Sequence, residues 1–246
     1  MVWGMNLPRA FGEFWPDGDF EGTDASGADG WTMRLKAYYQ DNMPTDHKVL
    51  FDDGQGNGPL RYPYFVSQKF TNEPGALTGR EPRHLSPIES QEPPQSFDIA
   101  RGSKSLGSLI KLNNRILAVD EPLRTIIERL DPQVHQFFPI IIKLRKGNTP
   151  PSKYYTLVIG KYIDSFLPEN STSDAYRSNG ENQFIHEETK KAMSGLAFSK
   201  ALFGGAHLWR ERRLSAEWLT CFSDELEAEI ANAGLRIPKH FRMKEV

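Results

Sequence analysis

Residues 120–158, DEPLRTIIERLDPQVHQFFPIIIKLRKGNTPPSKYYTLV, contain the pattern that decides the fold. The apolar residues of Leu123–Leu130 fall at i, i+3, i+4 and i+7, which is one face of an amphipathic helix. Asp120 or Glu121 can cap that helix, Pro122 suits its first turn, and Asp131-Pro132 ends it. Two segments rich in β-branched and aromatic residues follow, His135–Lys146 and Tyr154–Ile163, separated by a turn at 147–151. We expect them to form an antiparallel hairpin.

The sequence on both sides of this stretch continues the mixture of short strands and helices. Phe97–Arg101 and Arg115–Val119 resemble strands, and short apolar segments recur at 184–185, 196–198, 208–209 and 218–222. Ser223 is placed to cap a last helix, with acidic residues in its first turn and Gly234 at its end. The chain therefore predicts an α+β fold, a mainly antiparallel sheet with a few short helices.

The first 95 residues have a different composition. Met33–Gln40 alternates apolar and polar side chains, which predicts a strand, and His47–Phe51 is also expected to be a strand. Residues 71–95 contain five prolines, which block regular structure. We therefore divide the chain into a smaller N-terminal lobe that is acidic, aromatic and Pro-rich (1–95) and a main α+β domain (96–246).

The cysteine count, the apolar runs and the net charge indicate the cellular compartment that we expect for the protein. Cys221, the one cysteine, excludes an internal disulfide and fits a reducing compartment. The N-terminus lacks the basic and apolar regions of a signal peptide. The longest strongly apolar run, Phe137–Ile142, is far shorter than the roughly 20 residues that span a bilayer. We expect a cytoplasmic protein without membrane contact, and the net charge of −2 argues against a general nucleic-acid binder.

Charge is distributed unevenly along the chain. Residues 1–60 hold ten acids and four bases, a net charge of −6. An acidic surface steers a basic partner toward it. We therefore predict a protein-contact region in this part of the chain, comprising Trp15, Asp17, Asp19, Phe20, Trp31, Asp52 and Asp53. The alternative is an acidic loop that is merely solvated, with its aromatic rings docked onto a core.

No motif predicts catalysis or metal binding. His186-Glu187-Glu188 begins like a zinc-protease helix, but position 190 is lysine where the second histidine is needed, so a solvated loop is expected. Ser108 and Lys111 match Ser-x-x-Lys without its companion motifs. His207–Arg213 favours a strand with an exposed row of arginines over a nucleic-acid site. We predict no catalytic residue, metal or cofactor; a hydrolase or transferase site assembled only by folding stays open as an alternative.

Several segments have a familiar order and spacing: Phe137–Ile142, Tyr154–Val158, Leu208–Arg210, Cys221–Leu226 and Ala233–Leu235. Together they resemble the bacterial immunity-protein-eleven family over roughly residues 97–246. The last helix of that family begins with Ser-Asp and ends at Ala-Gly-Leu, as at Ser223-Asp224 and Ala233-Gly234-Leu235, although Arg236-Ile237 then replaces the family's Thr-Gly. The resemblance implies a non-enzymatic protein of a polymorphic-toxin locus that binds and neutralises a cognate toxin. A general interaction domain is the other binding role that stays open.

Overall fold

A computed structural model describes residues 1–23, 27–52, 54–71, 87–101, 105–180, 182–214 and 219–246. The strands within these ranges are β1 (Val2–Met5), β2 (Gly18–Phe20), β3 (Ser96–Ile99), β4 (Leu109–Lys111), β5 (Leu117–Asp120), β6 (Gln136–Lys143), β7 (Tyr154–Val158), β8 (Tyr162–Ile163), β9 (Tyr176–Ser178), β10 (Phe184–His186), β11 (Ala197–Phe198), β12 (Leu208–Glu211), β13 (Thr220–Ser223) and β14 (His240–Glu245). The helices are α1 (Gly30–Asp41), α2 (Thr45–Lys48), α3 (Gly58–Thr71), α4 (Glu121–Leu130), α5 (Lys190–Gly195), α6 (Lys200–Phe203) and α7 (Asp224–Asn232). Helix accounts for 31% and strand for 28%, and the sheets are mostly antiparallel, so the predicted α+β class is confirmed.

One six-stranded sheet has the order β2-β3-β6-β7-β5-β4. The predicted hairpin is its centre, with β6 and β7 antiparallel from Gln136 opposite Val158 to Ile140 opposite Tyr154. Alternate residues of β5 face opposite sides of the sheet: Ala118 packs in the core cluster that contains α1 and α3, whereas Leu117 and Val119 pack in the cluster that contains α4 and α7. Strands β4, β5 and β7 are buried at every position, whereas only Ile140 and Ile142 of β6 are buried.

A second six-stranded sheet has the order β11-β14-β1-β13-β12-β8. Strand β1 lies inside it, antiparallel to both β13 and β14, so that Val2 is opposite Ser223 on one side and Met243 on the other. Strand β2, in turn, pairs with β3 of the first sheet. Strand pairing thus crosses residue 95 in both sheets, and the division of the chain at that position stays a hypothesis about folding units.

The two capping residues predicted from the sequence, Asp120 and Ser223, both cap helices in the structure. Asp120 caps α4 by accepting a hydrogen bond from the Leu123 backbone N–H at 3.0 Å, and Ser223 caps α7 by accepting one from Leu226 at 3.1 Å. Gly234, at φ +64°, adopts the left-handed conformation that terminates helices. The predicted helices after Asp120 and Ser223 are therefore confirmed.

The prediction of two strands near the N-terminus is wrong. Met33–Gln40 lies within α1, whose start is capped by Asp29, and His47–Phe51 begins in α2. The buried residues of α1 are Trp31, Leu35 and Tyr39, each four residues apart, so one face of a helix explains the apolar pattern as well as alternation does. Helix α3 corresponds to no predicted element, and most of the Pro-rich stretch, 72–86, lies outside the described residues.

None of the described helices is long and apolar enough to cross a membrane.

Candidate functional site

Three of the acids predicted to contact a partner lie at the surface. Asp17 forms an ion pair with Arg101, with 3.1 Å between Oδ2 and Nε. Asp19 accepts a hydrogen bond from the Thr23 hydroxyl at 2.9 Å, and the exposed Asp52 accepts one from the Gly54 backbone at 2.8 Å. Asp53 lies outside the described residues. These acids retain exposed surface, so a role in protein contact remains a proposal for them.

Two of the predicted aromatic contacts are in the core, which corrects that part of the prediction. Phe20 and Trp31 are each 1% exposed, and their rings pack edge to face with centroids 4.9 Å apart. The Trp31 indole N–H donates to the Glu92 carbonyl at 2.7 Å. The alternative expectation, aromatic rings docked onto a core, holds for these two residues, because their apolar area attaches the N-terminal segments to the first sheet.

Trp15 is only half-buried, whereas Phe20 and Trp31 are fully buried. The Lys111 ammonium lies 3.5 Å from the centroid of its ring, a cation–π contact, and Phe11, which is 55% exposed, packs against it at 4.7 Å. The same ammonium donates to the Pro8 carbonyl. Lys111 therefore fixes the course of residues 8–15 along the edge of the first sheet.

Residues 6–10 line an open cleft of about 990 Å³. Residues 174–177 and 185–189, in and beside β9 and β10, also line it, together with Phe14, Pro238 and Lys239. The lining is partly apolar, through Leu7, Phe14, Tyr176 and Ile185, and partly charged. The cleft is thus assembled from the beginning, the middle and the end of the chain.

His186 is the most unusual polar residue of the cleft. It is 8% exposed, and its Nδ1 has no hydrogen-bond partner among the described residues. Burial, and secondarily the charge of Arg9, lower its pKa to about 4. The imidazole is therefore neutral at pH 7. The expected solvated loop is corrected: His186 ends strand β10, two residues after Phe184, and that alternation is the sequence signal for its burial.

We expect His186 to make the folded protein sensitive to acid. Its pKa is 6.5 in the unfolded chain and about 4 in the folded one, so the unfolded state binds more protons between these values. Stability should therefore fall as pH drops from 6.5 to 4, by about 3 kcal/mol from this group alone. Glu211, whose pKa burial raises to about 7, contributes in the opposite direction over the same pH range, so the comparison of wild type with His186→Gln isolates the histidine. The difference in the free energy of unfolding between these two proteins, measured by urea unfolding at several pH values, should fall by about 3 kcal/mol between pH 6.5 and pH 4. The exposed His47→Gln is the control, and a difference between wild type and His186→Gln that does not change with pH would contradict the assignment.

Ionic contacts neutralise part of the charge around the cleft. Arg9 pairs with Glu188, with 3.1 Å between Nε and Oε2, and Asp174 pairs with Lys191 at 2.7 Å. Arg177, Lys239 and Glu187 are exposed and have no ion-pair partner in the described part of the chain. The cleft is lined by three bases, Arg9, Arg177 and Lys239, and three acids, Asp174, Glu187 and Glu188, so the charges of its lining balance.

Other buried polar groups have structural roles. Glu211 is fully buried, and its carboxylate accepts hydrogen bonds from the Ser165 backbone and hydroxyl and from the Phe166 and Arg213 backbones. Cys221 is buried, as expected, and burial raises the pKa of its thiol, which makes it unreactive. Among the described residues, no group of three or more His, Cys, Asp or Glu side chains could hold a metal ion.

The predicted strand within residues 207–213 is confirmed as β12, but its exposed arginine row is corrected. Arg210 is 6% exposed, Arg212 pairs with Asp164 at 2.8 Å, and Arg213 donates to the Phe166 carbonyl at 2.7 Å. These three guanidinium groups do not form a single free cationic surface.

The structure defines an α+β protein with an open cleft assembled from distant parts of the chain. The model of the Immunity protein family (Imm11) matches residues 51–243 of the chain. The chain belongs to this family, and the match begins well before residue 97, where the resemblance in the sequence began. No curated protein matches the chain. Family membership supports an immunity-type role.

Proposed function

We propose that this protein neutralises a cognate bacterial toxin by binding it directly, without catalysis, in the cytoplasm of the cell that makes the toxin. The observation that carries the proposal is the family match over residues 51–243. An immunity protein must recognise one toxin, and a stable contact of that kind needs roughly 1,600 Å² of shaped surface. The competing hydrolase or transferase role would need converging reactive groups, whereas the buried Glu211 and Cys221 are engaged in packing and hydrogen bonds.

Co-expression with the toxin gene of the same locus tests this proposal. The toxin domain alone should arrest growth, and the toxin together with this chain should not. The two purified proteins should form a complex of fixed stoichiometry in size-exclusion chromatography. Rescue of growth without any complex would favour an enzymatic or regulatory role and contradict direct binding.

We further propose that the acids near the N-terminus accelerate the encounter with the toxin. Asp17, Asp19 and Asp52 lie in the part of the chain that carries a net charge of −6. Long-range attraction acts mainly on the association rate and is screened by salt, because the Debye length is about 8 Å at physiological ionic strength. Trp15 would add a half-buried aromatic contact beside these acids.

Charge reversal at Asp17, Asp19, Asp52 and Asp53 should lower the association rate by about tenfold or more at low salt. The difference should shrink as salt is raised. Stopped-flow mixing with the toxin domain measures both effects. The matched control reverses four other acids, Glu128, Glu169, Glu225 and Glu229, which gives the same net charge. Equal rates for the two variants would show that the location of the acids is irrelevant.

A further inference from the structure

Strand β6 has unequal neighbours on its two sides. On one side, residues 136–140 pair with β7. On the other side, β3 pairs only with residues 141–143, and the described part of the chain places no strand beside residues 136–140 there. The first half of β6 therefore forms an open edge inside the first sheet.

The backbone groups of Phe137 and Pro139 point toward this open edge. In an antiparallel ladder, alternate residues direct their N–H and C=O groups to opposite sides. Ile141 directs its N–H away from β7, to the Gln95 carbonyl at 3.0 Å, and Phe137 and Pro139 precede it by four and two residues. Among the described residues, the Phe137 N–H and the carbonyls of Phe137 and Pro139 have no hydrogen-bond partner.

Side chains of the N-terminal segments keep this edge open. In a parallel ladder, the Gln95 N–H would donate to the Pro139 carbonyl. It donates instead to the Glu21 carboxylate at 2.8 Å. The Pro93 carbonyl accepts a hydrogen bond from Arg34 Nη2, also at 2.8 Å. Glu21 and Arg34 thus bind the segment before β3 and prevent it from continuing the ladder along β6.

An apolar row lies beside the open backbone groups. Phe137, Pro139 and Ile141 alternate along β6, so their side chains lie on one face of the sheet. Phe137 is half-buried beneath the Arg124 guanidinium, Pro139 is exposed, and Ile141 is 57% exposed. An extended peptide matches both features, because its backbone completes a ladder while alternate side chains reach this row.

We infer that the open edge of β6 binds an extended segment of the protein partner, which adds a strand beside residues 136–140. The Phe137 N–H donates to a carbonyl of that segment, and the carbonyls of Phe137 and Pro139 accept two of its N–H groups. Pro139 lacks a donor, and proline at a sheet edge opposes pairing between identical edges, which favours a different chain over a second copy. The inference rests on the proposed function, because it takes the toxin as the source of the segment.

Amide hydrogen exchange, followed by NMR, tests the edge directly. In the free protein, the amides of Phe138 and Ile140 should be protected by β7, whereas the Phe137 amide should exchange rapidly. Addition of the toxin domain of the same locus should slow exchange at Phe137 by at least about 100-fold. Phe138, already protected, is the internal control. A complex in which Phe137 exchanges as in the free protein would overturn the inference.

Substitution by proline removes the donor itself. Phe137→Pro lacks the N–H that the segment requires, whereas Phe137→Ala keeps it and removes the same ring. Calorimetry should show that Phe137→Pro binds the toxin domain about tenfold more weakly than Phe137→Ala. Both variants should fold, because proline is tolerated where the N–H faces away from the ladder. Equal affinities would contradict strand addition.

A charge on the apolar row provides a test that leaves the ladder intact. Ile141→Lys should weaken binding at least tenfold, because the ammonium must be desolvated against the segment. The matched control is Leu202→Lys in α6, which has nearly the same exposure, 59%, and gives the same net charge. We expect the control to bind within about threefold of the wild type, and equal weakening in both variants would exclude this face.

Failure of the inference is distinguishable from failure of the proposed function. A complex that forms without protection of Phe137 rejects the edge and leaves direct neutralisation standing. Absence of any complex rejects direct neutralisation and, with it, the source of the segment. A dimer of the free protein with a protected Phe137 amide would assign the edge to a second copy and overturn the inference.

Discussion

Replacement of Glu92 by alanine should lower the free energy of unfolding by about 3–5 kcal/mol. Glu92 is 1% exposed, and both of its carboxylate oxygens accept hydrogen bonds from the Lys69 ammonium, at 2.6 and 2.7 Å. The Tyr62 hydroxyl and the Glu89 backbone N–H donate to the same carboxylate. Without Glu92, the ammonium of Lys69 would be buried without a counter-charge, which is the costly state.

The double variant Lys69→Met, Glu92→Leu separates the cost of the unpaired charge from the value of the pair. It should recover most of the lost stability, because a buried ion pair is often replaced by apolar residues at little cost. Urea unfolding of the wild type, the single variant and the double variant measures all three states. A loss below about 1 kcal/mol in Glu92→Ala would mean that Lys69 reaches water and that the pair is not enclosed.

The second large effect is expected at Asp131, which connects the two sheets. Its Oδ2 accepts hydrogen bonds from the His207 and Leu208 backbones at 3.0 and 2.8 Å, at the start of β12. Burial alone would raise its pKa, but the hydrogen bonds from His135 and Leu208 and the charge of Lys161 outweigh burial and lower the pKa to about 2. Asp131→Ala leaves these buried donors without an acceptor and should cost about 3 kcal/mol or more.

The pH dependence provides an independent check on Asp131. Its pKa is 3.8 in the unfolded chain and about 2 in the folded one, so its contribution is fully present above pH 4 and is lost as pH falls toward 2. The contribution amounts to about 2 kcal/mol. Asp131→Asn should remove this part of the acid sensitivity, whereas Asp164→Asn, at an exposed ion pair with Arg212, should leave it unchanged. If the free energy of unfolding depended on pH in the same way in the wild type and in Asp131→Asn, the assigned contribution of Asp131 to stability would be wrong.

Local signals explain which elements were predicted correctly. The caps at Asp120 and Ser223, the apolar face of α4 and the β-branched run of β6 each act within about ten residues, so they can be found in one stretch of sequence. Helix α1 was missed because Trp31, Leu35 and Tyr39 satisfy a period of two as well as one helical face. Helix α3 contains Pro63, which normally argues against a helix interior.

The cleft could not be predicted, because no local pattern encodes it. Its lining comes from residues 6–10, 174–177, 185–189 and 238–239, and the long-range pairing of β1 with β14 brings the first of these segments to the last. The same limit applies to the contact residues. Composition identified an acidic, aromatic region, but burial separates Phe20 and Trp31 from the exposed acids, and burial depends on the whole fold.

The position of β1 has a consequence for the timing of biosynthesis. The strand leaves the ribosome before its neighbours on both sides, β13 and β14, which lie more than 200 residues later in the chain. At roughly 5–20 residues per second, many seconds separate the emergence of β1 from that of its partners. The sheet closes only after translation has passed residue 245, so a chain that is still being synthesised before that point lacks the completed second sheet.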